Sequence, residues 1–110
     1  MESFAAERTW FAVAPDGTEH QVILRVGIPV LAPSGEWWAA VSLGALEPPR
    51  AQRIAGLDAW QAMHLAMRFV ATRVGHFADD GWQFYWERGG ERAAPSELLE
   101  GSTPLGGNAP

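Results

Sequence analysis

Three histidines, His20, His64 and His76, are the only side chains in this 110-residue sequence whose ordinary titration falls near neutral pH. No two of them stand four residues apart as a helical metal pair would, and no neighbouring carboxylate completes a recognised ligand set. His76 with Asp79 and Asp80 is the densest local cluster, and it reads as a solvated helix end rather than a metal or acid–base site. Ser3, Ser34, Ser42, Ser96 and Ser102 lack the G-x-S-x-G context of a nucleophile elbow, and the glycines spell neither a P-loop nor a dinucleotide fingerprint. All eight basic residues are arginine, so Schiff-base and P-loop lysines are excluded. The absence of cysteine removes thiolate chemistry and any disulfide framework. The balance leans against an enzyme, with no catalytic residue, metal or cofactor expected.

What remains is recognition chemistry. Residues 48–77 carry four arginines against Asp58, whereas 1–47 and 78–110 each carry two arginines against six acids. Arg50, Arg53 and Arg68 are the candidates for bidentate contact with an anion or an acidic partner, with Arg73 at the flank. The ordinary alternative is pairing with the chain's own Glu19, Glu36 or Glu87, worth about 0–1 kcal/mol when exposed. A net charge of −5 argues against nucleic acid, whose phosphates call for a basic surface. No apolar run approaches the length of a membrane span, and the start MESFAAERTW lacks a secretory pattern, so the expectation is a cytoplasmic protein without membrane contact.

These residues need elements to hold them, and the most distinct is a helix over Gly56 to Phe77. Asp58 can cap its exposed amides, Gln61 can reach back, and Leu57 is placed as a hydrophobic staple. Trp60, Met63, Met67, Val70 and Val74 form an apolar stripe widened by Ala59, Ala62, Ala66 and Phe69, while Gln61, His64, Arg68 and Thr72 face away. The stop is expected between Gly75 and Ala78.

Before the helix the sequence reads as an antiparallel meander. Residues 1–6 are expected to fray, and Arg8 to Ala14 is the first strand. Ala14-Pro15-Asp16-Gly17-Thr18 reads as a three-residue hairpin with a G1 bulge, setting Trp10 opposite Val22 and Ala12 opposite His20. Trp10, Val22, Leu24 and Val26 then line one face, and Phe11, Val13, Ile23 and Arg25 the other. The second strand, Glu19 to Leu31, ends in a similar turn and leads into Trp37 to Leu43. Simple register through that turn misaligns the two core faces by one residue, which predicts a kink at Gly27 or Pro29. Arg50 to Ile54 is a short fourth strand, and Trp82 to Glu87 a fifth. From Gly89 the composition cannot offset chain entropy. The fold class is therefore α+β, an antiparallel meander of four to five strands on one long helix (β-β-β-β-α-β), with a single domain at 1–90 and a flexible tail at 91–110.

Six tryptophans stand out in a chain of this length. Trp10, Trp60 and one of the adjacent Trp37 and Trp38 are read as filling the helix–sheet layer. Neighbouring strand residues point to opposite faces, so the other of the pair joins Phe11, Val13 and Ile23 on the uncovered side. Phe11, Val13, Ile23 and Trp38 are thus the candidate interface, because apolar surface of this kind marks partner contact.

Gly56-Leu57-Asp58-Ala59-Trp60-Gln61-Ala62, after hairpins and before a Gly81-Trp82 strand, resembles a group of small uncharacterised bacterial domains sharing a Gly-x-Asp-x-x-Gln-Ala helix start. Arginine without lysine, with abundant alanine, fits a GC-rich bacterial origin. The resemblance covers about residues 8–88 and implies an immunity or accessory role, with no catalytic residue to carry over. Three readings follow. One is a non-enzymatic domain binding a protein, or itself as a homodimer, through the outer sheet face or an edge strand. Another is a small-ligand binder or minor enzyme with a pocket lined by Trp60, Met63 and Met67. The third is an immunity protein that neutralises a toxin through its acidic surface.

Overall fold

The computed structural model describes residues 4–48 and 52–99. The elements are β1 (Phe4–Val13), β2 (Glu19–Gly27), β3 (Val30–Leu31), β4 (Trp37–Gly44), β5 (Gln52–Gly56), α1 (Ala59–Asp79), β6 (Gln83–Tyr85) and a 3-10 turn (Pro95–Leu98). The class is α+β, with an antiparallel sheet built first and the long helix laid across it. Because β2 and β3 are one extended run broken at Ile28-Pro29, the sheet counts six strands.

Both hairpins close through the same backbone bonds. Ala14 N donates to Thr18 O at 2.8 Å and Gly17 N to Ala14 O at 2.8 Å; Ala32 N donates to Glu36 O at 2.7 Å and Gly35 N to Ala32 O at 2.9 Å. The first turn fixes Trp10 opposite Val22 and Ala12 opposite His20, as its length dictates. Beside the second turn, Leu31 pairs with Trp37 and Val30 with Trp38, whereas further along Val26 pairs with Val41 and Leu24 with Leu43. One residue is lost from register between these sets, at the Gly27–Pro29 break. That slip returns Ala39, Val41 and Leu43 to the face of Leu24 and Val26, and all five are buried. β1 answers with its own irregularity between Phe4 and Ala6. The strand therefore begins at Phe4, earlier than Arg8, and only residues 1–3 of the expected frayed end lie outside the described residues.

Val41 pairs with Val26 on one side and Gln52 on the other, so β5 occupies the edge of β4 opposite β2. At the far edge β6 lies antiparallel to β1, with Ala12 opposite Phe84. The helix must cross from one edge of the sheet to the other to connect them. It packs on β4 and β5, and the 3-10 turn packs against it.

Asp58 is the N-cap, accepting from Gln61 N at 2.8 Å. The Gln61 side chain reaches back one residue further, to Leu57 N at 2.8 Å. The helix runs through Gly75 to Asp79, past the expected stop. Its end is set instead by a Schellman closure at Asp80-Gly81-Trp82: Trp82 N donates to Phe77 O and Gly81 N to Ala78 O, each at 3.0 Å, with Gly81 at φ 110°. The Trp82 ring packs edge-on against Phe77, the apolar contact that accompanies such closures.

The buried ridge of the helix is Ala62, Ala66, Val70 and Val74, so its inward direction is rotated by about 60° from the middle of the expected stripe of Trp60, Met63, Met67, Val70 and Val74. Small residues win the central positions because they let the helix approach the sheet closely, Ala62 against Gly56. As a consequence Trp60, expected in the core, is 85% exposed. Trp10 is fully buried, in contact with Phe84 and Trp86. Trp37 packs against the core and Trp38 turns to the other face.

Residues 91–99, read from composition as the start of a tail, continue the packing. Ala93 is buried and donates its N–H to Phe84 O at 2.8 Å, Arg92 bridges to Tyr85, and Leu98 leans on the core. Small residues that carry little apolar area individually are held here by the backbone pairing of β6.

Candidate functional site

The outer face of the sheet holds the residues singled out for an interface, in two groups. Phe11 sits opposite Tyr85 with ring centroids 6.1 Å apart, and the Arg88 guanidinium lies 5.8 Å from the Phe11 ring. Val13 is next along β1, opposite Gln83, and Ile23 lies on β2 opposite Thr9. Trp38 is elsewhere. The row formed by Glu7, Arg25 and Ser42 crosses the sheet between Ile23 and Trp38, with Arg25 Nε 2.5 Å from the Glu7 carboxylate. Trp38 instead donates Nε1–H to Glu36 at 2.9 Å and carries the Arg53 guanidinium 4.9 Å from its ring. Phe11, Val13 and Ile23 are brought together, and Trp38 is left apart from them.

The arginines are dispersed as well. Arg53 pairs across to Ala40 on the outer face, while Arg68 is exposed on the helix, which covers the other face. Among the described residues Arg68 has no ion-pair partner; Arg50 lies outside them. Arg73 pairs with Glu47, which accepts from its Nε at 2.7 Å, and Arg88 pairs with Glu19 at 2.9 Å. The turn after β4, with Ala45 at φ 78°, returns Glu47 toward the helix so that this pair can form.

His20 stands on the core side of the sheet, opposite Ala12, with its ring 5.4 Å from Trp82 and Nε2 3.0 Å from Thr18 Oγ1. Asp16 accepts from Thr18 N at 3.0 Å and from the Thr18 hydroxyl at 2.7 Å. The backbone bond from Thr18, with the hydroxyl bond second, holds the Asp16 carboxyl below the usual aspartate range. His64 and His76 are exposed on the helix. Among the described residues no three His, Cys, Asp or Glu side chains converge as a metal site would require.

Two features were not anticipated. The first is Arg8. It pairs with Leu24 on the core face of β1, two residues from Trp10. Its guanidinium lies 4.9 Å from the Trp86 ring and 5.7 Å from the Trp10 ring. Among the described residues its buried Nη1 has no hydrogen-bond acceptor, and neither has Trp10 Nε1. An unpaired buried donor costs about 1–3 kcal/mol, and more when charged. Beside Arg8 opens a cleft of about 90 Å³ lined by Ala6, Leu24, Val26, Met67, Val70 and Leu98, with Glu7 next to Arg8 on the strand but its side chain paired with Arg25 on the outer face. The hairpin register already held the signal: if Trp10 faces Val22 on the core side, Arg8 must face Leu24 there too. Of the residues expected to line a pocket, Trp60, Met63 and Met67, this cleft takes in only Met67, and it lies toward β1 and β2.

The second is an apolar end of the molecule. Trp37 pairs with Leu31 on one side and Gly56 on the other, so β3 and the start of the helix flank β4 at the same end of the sheet. Leu57 is 83% exposed next to the exposed Trp60, and Ile28, Val30 and Leu31 are more than half exposed. The staple position opposite Leu57 is Ala62, too short to reach it, so Leu57 stays in water.

A family model described as a domain of unknown function, DUF6968, matches residues 6–95. The chain belongs to the DUF6968 family. No curated protein and no solved structure matches it significantly. The DUF6968 segment takes in Arg8, Trp10 and Trp86 as well as Leu57 and Trp60, so both unanticipated features sit within the family's domain. It also passes residue 90 and takes in Ala93. Among the described residues of this DUF6968 chain, no helix is long and apolar enough to cross a membrane.

Proposed function

We propose that this domain is a non-catalytic protein-binding module whose partner contacts the apolar end formed by Leu31, Leu57 and Trp60. The observation that carries this reading is Trp60, 85% exposed at the first turn of a well-capped helix. Capping by Asp58 and Gln61 fixes the backbone, so the indole is presented from a rigid element rather than from a loop. A preordered aromatic anchor loses little entropy on binding, and tryptophan is enriched among the residues that dominate interface energies. Leu31, opposite Trp37 at the same end of the sheet and more than half exposed, supplies further apolar area that would otherwise remain in contact with water.

The competing surface is the outer face around Phe11, Val13 and Ile23, which an edge-to-edge or face-to-face homodimer would cover. Its residues are half-buried by their own neighbours, and Arg88 lies over Phe11, so it offers less uncovered apolar area. A photo-crosslinking residue placed at position 57 or 60, at position 23, and at the exposed helix position 72 separates these surfaces in cells producing the full chain. The expected result is adducts from 57 and 60 alone, with their mass showing whether the partner is a second copy. Adducts from 23 alone would move the interface to the outer face, and none from any position would remove the reading.

A further inference from the structure

We propose that Arg8 and the cleft beside it form a binding site for a small amphipathic carboxylate, with the carboxylate on Arg8 and a short aliphatic chain between β2 and the helix. This is independent of the protein-binding reading, because the cleft shares no residue with the Leu31, Leu57 and Trp60 surface.

A cation on the core face of a sheet requires an acceptor, and the chain's own nearby carboxylates are committed elsewhere. Glu7, adjacent in sequence, is held by Arg25 at 2.5 Å. Glu97, in the 3-10 turn beside the cleft, accepts from Ala94 N at 2.8 Å. The two rings near Arg8 favour a positive charge through their π faces but offer no acceptor along the N–H directions. Nη1 is covered by the protein's own atoms and has no acceptor among the described residues, so the donors left for a ligand are the other N–H groups of the guanidinium, on the side chain that lines the cleft. A guanidinium fixed in this way is prepared for a carboxylate, which accepts its donors in a planar, charge-assisted arrangement.

The cleft sets the rest of the ligand. Leu24, Val26, Met67, Val70 and Leu98 make it apolar beyond the arginine, which selects a hydrocarbon tail over a polar one. At about 90 Å³ the cleft is small and open to solvent along one side, so it holds part of a narrow flexible chain rather than enclosing a whole ligand. Met67, unbranched and flexible, is suited to adjust around such a chain. Glu7, paired with Arg25 on the outer face of the sheet, points away from the incoming anion.

Hexanoate is the probe, titrated into the full chain, with hexanol and hexylammonium as partners of equal tail and different head. The readouts are the Trp10 indole N–H resonance, which reports the ring beside Arg8, and the thermal midpoint. Hexanoate is expected to give a saturable shift and raise the midpoint, with hexanol and hexylammonium weaker by about tenfold or more, the loss of one strong contact. Arg8→Met is expected to weaken hexanoate to the level of hexanol. If that variant does not fold, Met67→Trp fills the cleft, leaves Arg8 in place, and is expected to abolish the saturable shift. Absence of saturation, equal binding of hexanol and hexanoate, or hexanoate binding unchanged in whichever of the two variants folds would each overturn the proposal.

Discussion

Gly56 lies so close to the first turn of the helix that a Cβ on it would stand 2.4 Å from the Ala62 amide nitrogen and 2.7 Å from its Cα. Backbone meets backbone here, so no rotamer change can relieve a larger residue. This contact locks the end of β5 to the helix and fixes where Leu57 and Trp60 emerge. Gly56→Ala is therefore expected to destabilise by about 2–3 kcal/mol or more, the range in which overpacking forces a backbone shift. Gly75 is the matched control, being helical with nothing within 4 Å of its built Cβ. Gly75→Ala is expected to stabilise by roughly 0.5–1 kcal/mol. Urea midpoints of the two variants check both signs; a neutral Gly56→Ala would show that the helix sits further from β5.

Much of the fold was legible because its signals were local. The turn at Ala14 to Thr18 has one favourable closure, and that closure fixes every pair from Val13 to Arg8. The kink near Gly27 followed from counting, since two core faces one residue out of step must slip somewhere, and a glycine and a proline mark the place. The Asp58 cap was equally local. What escaped depended on tertiary fit. Apolar periodicity weights large residues, so it extended the inward stripe to Trp60, Met63 and Met67, whereas close approach to the sheet selected Ala62 and Ala66 beside Val70 and Val74. The helix ran on to Asp79 because its stop is set by the closure through Gly81, with Trp82 packed on Phe77, a contact that local composition does not show. Arg8 was overlooked for a different reason: its place was implied by the register, but a charge was not expected on the core face.

Asp16 couples the first hairpin to pH. Its carboxylate accepts two hydrogen bonds from Thr18, and its pKa is held below the ordinary aspartate value of 3.8. A depressed carboxylate pKa contributes stability that is present above the unfolded value and is lost as pH falls through the folded one. Asp16→Asn keeps the shape but not the charge. The thermal midpoint of the native chain is expected to exceed that of Asp16→Asn above about pH 4 and to converge with it in more acid solution. The Asp16 carboxyl carbon shift, followed by NMR, should titrate below 3.8. A gap that stays constant into acid would assign the effect to something other than the Thr18 bonds.

The two tryptophans treated alike by composition should separate most widely in stability. Trp10 is wholly buried between Phe84 and Trp86, and its removal leaves a cavity that the sheet cannot collapse to fill. Trp10→Ala is expected to cost about 3–5 kcal/mol. Trp60 projects from the capped first turn into water, where alanine is the better helix former. Trp60→Ala is expected to change stability by no more than about 0.5 kcal/mol, either way. Acrylamide quenching of the remaining fluorescence should fall in Trp60→Ala, since the indole most open to quencher is gone. A loss of several kcal/mol in Trp60→Ala would mean that the indole is covered in the folded state, by a second copy of the chain or by the domain itself. Repeating the urea titration at tenfold lower protein concentration distinguishes these, because stability derived from association falls on dilution and stability within the monomer does not.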